Sequence, residues 1–175
     1  MCAISGVRAW LLVSCLVVVA IGRPARAAAQ VTSMLAADAG ALIRAEPGAR
    51  VVLLYATTCR YSHEMFPEVV ALAERYSPLG VRFIAFSIDK EPDLVEEYLG
   101  RVGYGFERLH IQPWQLRELI AALEPFGIDV RSRVGTPHIA VIEADGQLVG
   151  QVRGTSGARQ ADRWLRSLGF RPMAD

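Results

Sequence analysis

The chain reads as an α/β protein, with a central mixed β-sheet and helices on both faces. Three observations predict this. Arg50 to Ala56 and Val81 to Ile88 are rich in apolar and β-branched residues and lack polar alternation, the pattern of strands buried on both faces. Segments of helical spacing stand between the strands, and strands separated by helices need crossovers and so pair in parallel. Near the end, Asp145-Gly146 lies between two apolar runs. That is a strong hairpin signal, so the closing strand pair is antiparallel.

The first 27 residues read as a signal peptide. Arg8 supplies a positive start, Ala9 to Gly22 is an apolar run of 14 residues, Pro24 ends it, and Ala25-Arg26-Ala27 offers small residues for cleavage. Ala27-Ala28-Ala29 offers a second cleavage point after Ala29. A membrane span needs about 20 apolar residues, so the shorter run favours a cleaved signal over an uncleaved anchor. Leu12-Val13-Ser14-Cys15 resembles a lipobox, but Leu16 to Ile21 continues the apolar run past the cysteine. The chain therefore divides into a signal (1–27), an N-terminal helix and lead-in (28–49) and one α/β domain (50–170). Export, to a bacterial periplasm, is the expected location.

Processing changes two counts. Cys2 and Cys15 leave with the signal, so the mature chain keeps only Cys59. No disulfide can form within it, although an exported protein would permit one. Loss of Arg8, Arg23 and Arg26 takes the basic residues from 19 to 16 against 18 acidic ones, a balance of −2. That excludes an electrostatic case for nucleic acid or an anionic membrane.

Val31 to Ala45 spaces Leu35, Leu42 and Ile43 as a helix, with Ser33 as its N-cap, and Glu46-Pro47-Gly48 ends it. The strand Arg50 to Ala56 follows. Cys59 to Tyr76 has helical spacing at Phe66, Val69, Val70, Ala73 and Tyr76, with Pro67 inside it as a kink or local break. After the strand Val81 to Ile88, Asp89 is placed to cap a helix carrying Leu94, Val95, Tyr98, Leu99 and Val102. Phe106 to Ile111 reads as a short strand and Pro113 to Leu123 as a further helix. The strands His138 to Glu143 and Leu148 to Arg153 flank the hairpin turn. Ala158 to Leu168 closes the chain as a helix, with Gly169 beyond its end. Trp114 and Trp164 are expected to pack on helix faces.

Cys59 sits where a buried strand gives way to a helix. Unpaired N–H groups at a helix start carry partial positive charge. A thiol there loses its proton more readily, and the thiolate is the nucleophile. Arg60 adds positive charge. The bland alternative is a buried, inert cysteine, a common fate of free cysteine.

Four features together resemble the thioredoxin fold. These are the Cys59-Arg60-Tyr61-Ser62 turn after a buried strand, Pro67 five residues beyond Ser62, Thr136-Pro137 before the penultimate strand, and the Asp145-Gly146 hairpin followed by Gly154 and a closing helix. With the signal and the helical material from Glu91 to Phe126, the chain is similar to exported thioredoxin-like proteins of the TlpA/ResA type. The resemblance spans Val51 to Leu168. It implies thiol–disulfide exchange with Cys59 as catalytic nucleophile and Ser62 beside it. It also implies a cis-proline loop at Thr136 and Pro137 whose backbone pairs with an extended substrate. Three departures limit that transfer. Ser62 replaces the second cysteine, Leu53 an acidic residue six positions before the first, and Thr58 a tryptophan. The family's first strand also has no counterpart, since a helix follows the signal directly.

Ser62 cannot form a disulfide, so a mixed disulfide on Cys59 would need an outside thiol to resolve it. This points to monothiol chemistry on a protein or low-molecular-weight thiol or disulfide, with no cofactor. Arg60, His63 and His138 are available to stabilise the thiolate. The alternative is a non-enzymatic binding module that holds a protein client or a soft metal. Cys59, His63, Met65 and His138 would suit copper, although positions 63 and 65 of a helix face different ways. Peroxidase chemistry is excluded: Val52 and Ala56 stand where the peroxiredoxin Pro-x-x-x-Thr-x-x-Cys motif needs proline and threonine. No Ser/His/Asp spacing supports a hydrolase.

Overall fold

The computed structural model describes residues 31–45, 47–102, 107–130 and 135–172. The proposed signal (1–27), Glu46 and the expected strand start at Phe106 lie outside the described residues. In chain order the elements are β1 (Thr32–Ser33), α1 (Ala39–Arg44), β2 (Arg50–Tyr55), α2 (Arg60–Tyr76), β3 (Arg82–Ser87) and α3 (Pro92–Val102). There follow β4 (Glu107–His110), α4 (Leu116–Leu123), β5 (His138–Ile142), β6 (Leu148–Arg153) and α5 (Gly157–Ser167). Single 3-10 turns stand at Ala36–Asp38, Ser77–Leu79, Pro113–Gln115 and Glu124–Phe126.

The six strands form one sheet in the order β1-β4-β3-β2-β5-β6. β2, β3 and β4 run parallel, while β5 is antiparallel to both β2 and β6. β2 is the centre, and all six of its residues are buried. Because successive side chains point to opposite faces, Val51, Leu53 and Tyr55 join one core with residues of α2, α3 and α5. Val52 and Leu54 join a second core with residues of α1 and α4. Fully burying one such side chain contributes about 1.5–3 kcal/mol, so a polar residue in β2 would be costly on either face. The mixed sheet with helices on both faces is the architecture the sequence predicts.

Four local expectations are corrected. Ser33 does not cap a helix. It pairs with His110 in β1, and Met34 N–H donates to the His110 carbonyl at 3.2 Å. A strand therefore does precede the first helix. Two residues are too few to show a period-2 pattern, and this strand exists only through β4. Asp89 does not cap α3, because its carboxylate turns to Thr57 and Ser87 instead. Trp114 is 74% exposed and packs on no helix face. Leu94, counted in the α3 stripe, is exposed, while Val95, Tyr98 and Leu99 are buried.

Trp164 packs as expected, and the reason is a glycine. A Cβ built on Gly150 of β6 would lie 2.4 Å from the Trp164 ring, so the indole of α5 rests on bare β6 backbone. Gly157 makes a similar approach, with the Met65 sulfur 2.8 Å from its would-be Cβ. Gly150→Ala is expected to push Trp164 from its seat and destabilise the fold by about 1–3 kcal/mol, the usual cost of overpacking. Urea unfolding checks this, and an unchanged midpoint would show that the indole shifts freely.

Candidate active site

The site lies at the C-terminal edge of the parallel strands. β2 ends at Tyr55, the chain turns through Ala56 to Thr58, and Cys59 is the N-cap of the 17-residue α2. Cys59 N–H donates to the Ala56 carbonyl at 3.1 Å, and the Cys59 carbonyl accepts from Ser62 and His63 N–H at 3.0 and 3.2 Å. Cys59 is a free thiol of intermediate exposure. Its partial exposure departs from the buried cysteine of the bland reading.

Two sequence-distant segments meet at its sulfur. The Thr136–Pro137 peptide is cis, and Pro137 is buried at the start of β5. The Cys59 thiol donates to the Thr136 carbonyl at 3.1 Å. Ser62, one helical turn on, is fully buried, and its hydroxyl accepts from Ala56 N–H at 3.4 Å. Burial pushes the Cys59 thiol up and is the largest single influence. Hydrogen bonds from the Thr136 side chain, the Ser62 N–H and hydroxyl, and the Tyr61 N–H outweigh it, so the pKa lies below the ordinary value. The Thr136 carbonyl works the other way. It accepts the thiol proton, and after ionisation its negative end faces the sulfur.

The three basic side chains expected near the thiolate are bonded elsewhere. Arg60 pairs with Glu64 at 2.7 Å on open surface, worth little in stability. His63 Nε2 donates to the Thr57 carbonyl, and its ring meets Tyr98 edge-on with centroids 4.5 Å apart. His138 is buried and its Nε2 donates to Gln151 Oε1 at 3.0 Å. Met65 lies buried against Gly157. Cys59, His63, Met65 and His138 therefore do not gather into one ligand set. Among the described residues, no cluster of three His, Cys, Asp or Glu side chains could hold a metal.

One polar cluster was not anticipated from the sequence. Asp89, 4% exposed, accepts from Thr57 N–H at 2.8 and 3.0 Å, from Thr57 Oγ1 at 2.9 Å and from Ser87 Oγ at 2.6 Å. His110, fully buried, donates from Nε2 to the Asp89 carbonyl at 2.9 Å. The signal was available in the register. Tyr55 pairs with Ser87 at the ends of β2 and β3, so residues two further along each chain, Thr57 and Asp89, fall side by side.

No protein-family model and no curated protein sequence matches the chain. Solved structures do. A thiol:disulfide interchange protein of the thioredoxin family from Chlorobium tepidum TLS superposes with a TM-score of 0.58 at 24% identity, covering 69% of this chain and 79% of that one. A thiol:disulfide interchange protein from Bacteroides sp. gives 0.54 at 13% identity, covering 69% and 74%. StoA from Bacillus subtilis gives 0.52 at 11% identity, covering 68% and 83%. The fold is thioredoxin-like. Among the described residues no helix is long and apolar enough to cross a membrane.

His138 makes the site's surroundings sensitive to acid. Burial, the largest cause, holds its pKa below the usual value, and Arg153 adds to this against opposing contributions from Gln151 and Asp129. The unfolded chain therefore binds the proton more readily. Stability from this group is complete above about pH 6.5 and declines as pH falls toward the folded-state pKa. Thermal melts between about pH 7.5 and pH 5.5 should show a smaller acid loss for His138→Gln than for the native chain. Equal losses would remove His138 as the cause.

Proposed function

We propose that this chain is an exported monothiol exchange protein that works through Cys59. The observation that carries the reading is the meeting at one sulfur of a helix N-cap, the Ser62 hydroxyl and the Thr136–Pro137 loop. In the first step the Cys59 thiolate attacks one sulfur of a substrate disulfide. An S–S bond forms to Cys59, the substrate S–S bond breaks, and the second substrate sulfur leaves as thiolate and takes up a proton. Ser62 holds the attacking sulfur but offers no thiol. The mixed disulfide therefore ends when an outside thiolate attacks the substrate sulfur: a disulfide forms between those two sulfurs, the bond to Cys59 breaks, and Cys59 leaves as thiolate.

The protein substrate or small thiol lies against Thr136 and Pro137, in the loop facing the sulfur. The similar solved structures carry thiol:disulfide interchange names, which favours redox exchange over a lapsed scaffold. The signal peptide read in residues 1–27 supports export and a periplasmic location. Membrane attachment would follow only if that segment is retained. Trapping in cells tests the reading. Tagged native chain, alkylated at harvest, should carry disulfide-linked adducts that reductant releases and Cys59→Ser lacks. Adducts that persist in Cys59→Ser, or none in either chain, would contradict it.

A further inference from the structure

The nucleophile turn hangs on a single peptide unit. The carbonyl of the Ala56–Thr57 peptide accepts from Cys59 N–H at 3.1 Å, and its N–H is held by both oxygens of Asp89 at 2.8 and 3.0 Å. The neighbouring backbone groups serve the same motif. Ala56 N–H donates to Ser62 Oγ at 3.4 Å, and the Thr57 carbonyl accepts from His63 Nε2. Rotating that peptide would turn the Ala56 carbonyl away from Cys59 N–H and free the turn that carries the sulfur.

Asp89 is built to prevent the rotation. Its carboxylate is fixed by Ser87 Oγ, its own N–H donates back to Ser87 Oγ at 3.2 Å, and its carbonyl is held by His110. Ser87 and His110 are fully buried, and each is the last residue of a central parallel strand. The clasp thus ties the turn after β2 to the ends of β3 and β4. We propose that Asp89 is the positioning residue for the Cys59 nucleophile, acting through Thr57 to orient the turn that aims the sulfur at Thr136 and seats Ser62 beneath it.

This rests on reading Cys59 as the nucleophile. In the test, the native pH profile examines that reading, and the difference between native and variant profiles examines Asp89. Cys59 is alkylated with iodoacetamide across a range of pH, well below each variant's melting temperature. Asp89→Ala and Asp89→Asn should move the profile to higher pH and slow alkylation at neutral pH by about three- to tenfold, since one pKa unit changes the thiolate fraction about tenfold. Thr57→Val should shift it in the same direction, and Thr57→Ser, which keeps a hydroxyl, should restore the native profile. A folded Asp89 variant with the native profile would overturn the proposal, as would a Thr57→Ser profile no closer to native than that of Thr57→Val. A purely structural Asp89 would lower the melting temperature and leave the profile in place. Should Asp89→Ala and Asp89→Asn not fold, the Thr57 pair decides alone, and a native profile in Thr57→Val overturns the proposal.

Discussion

The in-register pairing of β2 with β3 is the constraint on which the site depends. β2 is buried on both faces, so its register cannot slip without driving apolar side chains into the wrong core. Arg50 pairs with Arg82 and Tyr55 with Ser87, so both strands end level at the same edge. The turn into α2 and the turn into α3 then leave the sheet side by side. β5 enters from the other flank, with His138 opposite Leu54, and this brings Thr136 to the Cys59 sulfur. Three segments far apart in sequence converge because one central strand has no freedom.

The chemistry follows from what surrounds the sulfur. A partly exposed thiol at the start of a 17-residue helix meets partial positive charge from unpaired N–H groups. Ser62 adds a buried hydroxyl where a dithiol protein would carry a second sulfur. In the proposed exchange the hydroxyl supports the thiolate and cannot replace it, so the residue that aids the first step withholds the second. The Thr136 carbonyl accepts the thiol proton in the resting state. Its oxygen is freed for another donor once Cys59 is ionised or bonded to substrate.

Much of this was legible in the sequence because the strongest signals are periodic or local. The unalternating runs at Arg50–Ala56 and Val81–Ile88, the Asp145-Gly146 turn and the Cys59-to-Ser62 spacing each report physics that acts within a few residues. The misreadings have a common cause. Ser33 reads as an N-cap locally but is claimed by His110 across the sheet. Asp89 reads as a cap for α3 but is claimed by Thr57, 32 positions earlier. Arg60, His63 and His138 lie near Cys59 in sequence or loop, yet Glu64, the Thr57 carbonyl and Gln151 each engage one of their nitrogens. Short polar side chains choose among partners that only tertiary structure supplies.

The central claim is that Cys59 performs half of a dithiol cycle. Mass analysis of the purified chain lacking residues 1–27, mixed with glutathione disulfide at neutral pH, tests it most directly. The account predicts one glutathione on Cys59 that persists until a thiol is added, and self-discharge of that adduct to an internal disulfide in Ser62→Cys. A native chain that takes up no glutathione while folded, or one that sheds it without an added thiol, would contradict the account.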